Sequence, residues 1–177
     1  MKYCAFLRGV NVKGTAMKMA EAVELFKKQG LIKVSSILAT GNILFESEEN
    51  PLELRVKLEK ALSKHFDYEA FLFLKSDVQV KEILENLPFQ KNETLHIYSF
   101  ICENGDEDIL FEEFKKVNHQ EDEEAEIINQ NFYWKIPKGN TLGSEFGKIL
   151  GKKSFKDKFT SRNINTIEKI VNKFSTL

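Results

Sequence analysis

Along the first 75 residues the apolar spacing alternates between strand and helix periods, and the order of those changes restricts the fold more than any other feature. Residues 2–8 run apolar and alternate, as a strand does. Met19, Ala22, Val23 and Phe26 recur at helical spacing, and Gly30 is placed to end that helix. Residues 31–38 read as a second strand and Ile43-Leu44-Phe45 as a third. Asn50-Pro51-Leu52-Glu53 has the parts of a helix start: Asn to cap, Pro at the first position, Glu at the third. Leu54, Leu58, Ala61, Leu62 and His65 then share one helix face, and residues 70–74 form a fourth strand.

The resulting order, β-α-β-β-α-β, is that of the split βαβ, or ferredoxin-like, motif. Two helices, each apolar along one stripe, cover one face of a four-stranded antiparallel sheet. The pattern then restarts. Ser76-Asp77-Val78-Gln79 is a capping box for a helix that uses Val80, Ile83, Leu84 and Leu87. Residues 95–101 alternate as a strand, followed by a helix on Ile109, Leu110, Phe114 and Val117. Strands over 125–128 and 132–136 flank a hairpin-sized loop at Asn129-Gln130-Asn131. Leu142, Phe146, Ile149 and Leu150 predict another helix, and Ile167, Ile170, Val171 and Phe174 the last. The second half thus repeats β-α-β-β-α and then predicts a helix where a fourth strand would be expected. The expected fold is α+β: two ferredoxin-like (βαββαβ-type) subdomains packed together, with an extra C-terminal helix. The expected division is 1–75 and 76–177, the second part including a linker helix and the C-terminal helix. No Pro/Gly/Ser linker separates the two, which predicts one rigid body.

With 177 residues, 42% hydrophobic and 15 Phe, the chain can bury an ample core. A net charge of −1 argues against a general nucleic-acid coat. No apolar run approaches the roughly 20 residues that span a bilayer, and the opening residues are too short and strand-like for a signal peptide, so a cytoplasmic protein without membrane partners is expected. Cys4 and Cys102 lie in apolar strand-like runs and read as buried reduced thiols. His65, His96 and His119 are scattered, so no zinc site, and no other cofactor, is predicted. Acids dominate residues 103–126, where Glu121-Asp122-Glu123-Glu124 reads as a solvated loop. Lysine and arginine dominate 135–177 and could focus an anion toward Arg162.

Three polar segments interrupt these patterns. Arg8-Gly9-Val10-Asn11-Val12-Lys13-Gly14 leaves a strand and enters a helix. Its glycines would let backbone N–H groups approach an anion, or would simply relieve a turn. It is neither a G-x-G-x-x-G fingerprint nor a Walker loop. Thr40-Gly41-Asn42 joins two strands and fits an ordinary hairpin turn. Thr160-Ser161-Arg162-Asn163-Ile164-Asn165-Thr166 precedes the last helix and supplies several caps. Capping does not require Arg162, whose charge opposes a helix N-terminus unless an anion or carboxylate intervenes. No His-centred pair, paired carboxylates or nucleophile elbow is present, and Glu145 and Asp157 read as surface ion-pair partners.

These segments carry a resemblance. The opening from Tyr3 through Leu7-Arg8-Gly9-Val10-Asn11-Val12-Lys13-Gly14 resembles the "LLRGINVGG" start of the domain-of-unknown-function 1697 family, uncharacterised and mostly bacterial. Thr40-Gly41-Asn42-Ile43-Leu44-Phe45 resembles its "SGNVVF", and Thr160 to Thr166, after Gly143-Ser144 and Lys148, resembles its "TTRNWNT" ending. Lys13 stands at the first glycine of the GG pair, Ile37 and Ala39 where the family tends to have Tyr and Gln, and Ile164 at its usual Trp. The resemblance implies two ferredoxin-like lobes and no established activity.

The functional expectation is a small anionic ligand, a nucleotide or phosphorylated metabolite, bound in a cleft between subdomains. Arg8 and Arg162 would hold its charge, and Asn11, Thr40, Asn42, Thr160, Asn163 and Asn165 would orient it. One alternative is a binding module for single-stranded nucleic acid or a protein partner, with Tyr98, Phe100, Tyr133 and Trp134 exposed together for stacking. The other is that the polar segments are purely structural. Neither a reaction nor an oligomeric state follows from the residues.

Overall fold

The computed structural model describes residues 1–10 and 17–177. The chain divides into two units, one of Met1–Lys81 with Glu168–Leu177, the other of Glu82–Ile167.

In the first unit the elements are β1 (Lys2–Arg8), α1 (Met19–Lys28), β2 (Ile32–Ile37), β3 (Asn42–Glu46), α2 (Pro51–Phe66), β4 (Phe71–Ser76) and α3 (Asp77–Glu85), the last running on into the second. The sheet has the antiparallel order β2-β3-β1-β4 of a ferredoxin-like fold. Strand residues two apart share a face. Tyr3, Ala5 and Leu7 therefore join Ile43, Phe45 and Leu72 beneath Ala22 and Phe26 of α1 and Leu54, Leu58 and Leu62 of α2. The opposite face is also buried, at Cys4, Phe6, Leu44 and Phe73. Both predicted helix starts form. Asn50 Oδ1 accepts from the Leu52 and Glu53 N–H groups. Ser76 and Gln79 bond reciprocally, Ser76 N–H to Gln79 Oε1 at 2.9 Å and Gln79 N–H to Ser76 Oγ at 3.2 Å.

The second unit holds β5 (Leu95–Cys102), α4 (Asp106–Lys115), β6 (Glu124–Ile128), β7 (Asn131–Pro137), α5 (Glu145–Leu150), a single 3-10 turn (Lys153–Phe155) and β8 (Phe159–Asn163), followed by α6 (Ile164–Phe174). Its sheet repeats the antiparallel order as β6-β7-β5-β8. The expected missing strand is thus present. Residues 159–163 pair with β5 from Cys102↔Phe159 to Tyr98↔Asn163, where a loop leading into a helix was expected. The strand escapes a hydrophobicity pattern because Thr160 and Arg162 fill one of its faces. β6 and β7 are joined through Asn129 and Gln130, both at positive φ (48° and 62°), the combination of a type I′ hairpin.

Phe100, Phe132, Trp134, Phe146 and Phe159 pack with Leu110 and Phe114 on the α4/α5 side of this sheet. Two residues expected in helix stripes are outside the core: Ile109 is 46% exposed, and Leu142 is 87% exposed and precedes α5. Glu123, expected in a solvated loop, is buried. Its carboxylate accepts from Trp134 Nε1 at 3.1 Å and from the Gln120 N–H at 3.0 Å.

Candidate functional site

In the first unit, β1 ends at Arg8, half-buried and opposite Phe71 of β4. Asn11, together with Val12, Lys13 and Gly14, lies outside the described residues. Asn42 opens β3 opposite Phe6 and Ile37 and is fully buried. Its Nδ2 donates to the Ile37 carbonyl and to Thr40 Oγ1, each at 3.0 Å. The Leu7 N–H donates to the Gly41 carbonyl at 2.7 Å. Asn42 and the exposed Thr40 therefore close the turn that places β3 beside β1. By strand parity Arg8, Phe6 and Asn42 share the face opposite α1 and α2.

The second unit repeats that placement. Arg162 lies opposite Ser99 in β5, and Ser99 lies opposite Tyr133 in β7, so all three share the face away from α4 and α5. Thr160, two residues back along β8, joins them. Thr160 is 5% exposed and Arg162 8%. Arg162 Nη1 donates to Thr160 Oγ1 at 2.7 Å and to the Ser161 carbonyl at 2.8 Å. A guanidinium withdrawn from water requires such acceptors, because its desolvation is far more costly than that of a neutral group. Ser99 Oγ, fully buried beside it, has no hydrogen-bond partner among the described residues. The Tyr133 hydroxyl donates to the Ile83 carbonyl at 2.9 Å, and burial pushes its pKa up.

Asn163 and Asn165 go elsewhere. Asn163 points to the other face, where its Oδ1 accepts from the Asn165 N–H at 3.0 Å and caps α6. Its Nδ2 meets His96 Nδ1 at 3.1 Å. His96 lies 5.7 Å from the Tyr98 ring, and the Tyr98 hydroxyl pairs with Thr141 Oγ1 at 3.3 Å. Asn165 itself is exposed. The sequence-predicted residues of the last motif thus divide between two faces: Thr160 and Arg162 on one, Asn163 and its cap on the other. Ser99 and His96 were not singled out by sequence reasoning. Ser99 does interrupt the apolar row Leu95-Ile97-Ser99-Ile101, and that break was the available signal.

The remaining candidate chemistry is accounted for by packing. Tyr133 and Trp134 are buried on opposite faces, and Phe100 is 1% exposed, so these rings do not present a joint stacking surface. Cys4 and Cys102 are buried and form no disulfide. Among the described residues no group of His, Cys, Asp or Glu is arranged to hold a metal, and no helix is long and apolar enough to cross a membrane. Glu145 accepts from both the backbone N–H and the side-chain amide of Asn118, and these bonds hold its carboxyl below the usual range.

The family described as "Protein of unknown function (DUF1697)" matches residues 1–133, which include β1, the Thr40–Asn42 turn and β6, and end within β7. The chain belongs to this family. The family match ends before β8, so Arg162 and its neighbours lie outside it. Among solved structures, the conserved bacterial protein SP0830 from Streptococcus pneumoniae is similar at 27% identity, with a TM-score of 0.78 and 97% of each chain covered. No curated protein matches.

Proposed function

We propose that the protein binds a small anionic ligand, of the nucleotide or phosphorylated-metabolite class, and that Arg162 with Thr160 makes the principal contact. The observation that carries this reading is Ser99. Its hydroxyl is fully buried, has no hydrogen-bond partner among the described residues, and sits directly across the strand pair from Arg162. A buried hydroxyl without a partner costs about 1–3 kcal/mol, and an anion oxygen held by the guanidinium would accept from it. The remaining motif amides have other roles: Asn42 bonds within its turn, and Asn163 caps α6. The two buried cysteines form no disulfide, which fits a reducing compartment, and we place the protein in the cytoplasm on that basis.

The test is the thermal stability of wild type, Arg162→Lys and Ser99→Ala with phosphate, sugar phosphates and a nucleotide panel. A ligand at a hundred times its Kd should stabilise wild type by about 2.7 kcal/mol. Ser99→Ala should leave the ligand-free protein as stable or more stable while weakening the shift, and Arg162→Lys should abolish it. If no member of the panel shifts wild type, the anion reading fails.

One observation favours a structural role for the first-unit motif. The two hydrogen bonds donated by Asn42 Nδ2 go to Ile37 and Thr40, at the two ends of the same turn, so Thr40-Gly41-Asn42 is read as a chain-positioning element.

A further inference from the structure

The side chain that caps α6 also meets a titratable group one strand away. The Asn165 N–H can only donate, so Asn163 must present its carbonyl oxygen there, and its amide orientation is set. The amide NH2 is then the group that faces His96 Nδ1 at 3.1 Å. His96 Nδ1 must therefore be the acceptor, which requires a neutral ring with its proton on Nε2. Placing a proton on Nδ1 sets donor against donor. The amide can answer by turning over, so that Oδ1 accepts from the imidazolium. Its NH2 then faces the Asn165 N–H, and the cap is lost.

We propose that His96 and Asn163 form an acid-sensitive latch on the start of α6: neutral His96 holds the Asn163 amide in its capping orientation, and protonated His96 reverses the amide and releases the cap. The surroundings favour the neutral ring. Around His96 lie Tyr98 on its own strand, Ile136 opposite on β7, Lys138 just past the end of β7, and the neutral Asn163 and Asn165 of β8 and α6. Among the described residues no carboxylate pairs with His96. Burial, and secondarily the Lys138 charge, hold its pKa below the ordinary value of 6.5. A group whose pKa is depressed by folding binds fewer protons folded than unfolded. Its contribution is therefore complete above about pH 6.5 and is lost as pH falls through the folded pKa.

Nitrogen-detected NMR of the full chain tests the latch, with His65 and His119 as internal references. At neutral pH His96 should show the Nε2–H tautomer. As His96 titrates, the protection factor of the Asn165 amide should fall roughly fivefold, the worth of an N-cap. Asn163→Asp gives the opposite expectation. Its carboxylate accepts from both groups, so Asn165 stays protected in acid and His96 titrates above its wild-type pH. An Nδ1–H tautomer, or an Asn165 protection factor that is constant through the His96 titration, would overturn the proposal.

Discussion

Trp134→Ala is expected to lower the unfolding free energy by about 4 kcal/mol or more, the largest effect of any single substitution considered in this chain. The indole stacks on Tyr98 at 5.7 Å between centroids, meets the edge of Phe146 at 5.2 Å, and is 1% exposed. Removing it opens a cavity among aromatic rings that are themselves fixed by Phe100 and Phe132, and such losses run about 3–5 kcal/mol. A second contribution adds to this. Trp134 Nε1 donates to the buried Glu123, so the truncation also leaves a withdrawn carboxylate oxygen without its donor, a loss of about 1–3 kcal/mol. Trp134→Phe separates the two contributions, keeping a ring while deleting the donor. Urea denaturation should show a reduced midpoint with unchanged slope for both variants, Ala the lower. A Trp134 serving as an exposed stacking platform would give another pattern: near-wild-type stability and lost oligonucleotide affinity.

Why this ring reads ambiguously in sequence is a matter of face. Phe132-Tyr133-Trp134 is apolar at every position, so strand parity cannot say which side is covered, and both sides prove to be buried. The first sheet was legible because its strands and helices each carry their own period, and because Asn50-Pro51 and Ser76 to Gln79 mark helix starts by local chemistry alone. β8 was not legible. Its apolar signal is confined to Phe159, while Thr160 and Arg162 occupy buried positions that only cross-strand partners explain. The same run contains the α6 cap, and a cap is sufficient local reason for Asn163, so nothing in the neighbouring residues announces a strand. Glu123 shows the limit from the other direction. In an acidic tetrad every residue looks solvated, and only the fold brings an indole N–H to one of them. For the candidate site, the sequence marks Arg162 as a charge that capping does not explain and offers Thr160 as a cap, whereas Thr160 lies buried beside Arg162 in β8. Ser99 shows in the sequence only as a break in an apolar row, because its relation to Arg162 exists only through the β5–β8 register.

Gly41→Ala should destabilise the first unit by about 2–4 kcal/mol, from two separable causes. Gly41 has φ +77°, a left-handed conformation that costs an L-residue roughly 1–2 kcal/mol. A Cβ built there would also stand 2.9 Å from Leu7 Cβ and 2.9 Å from Val10 Cγ1. Leu7 Cβ is attached directly to the β1 backbone, so it cannot swing aside as the end of a flexible chain could. Relief requires β1 and the turn to separate, which strains the Leu7 N–H to Gly41 carbonyl bond between them. Gly30→Ala is the control. Its φ is +90°, yet among the described residues nothing lies within 4 Å of its added Cβ, so it carries the backbone strain without the clash. The difference between the two variants in urea midpoint therefore measures the steric contribution alone, expected at about 1–3 kcal/mol. Equal losses at both positions would mean that β1 and the turn have room to separate. Asn42 would then be an amide held near a mobile strand end, and the chain-positioning role assigned to Thr40-Gly41-Asn42 would have to be given up in favour of a ligand contact.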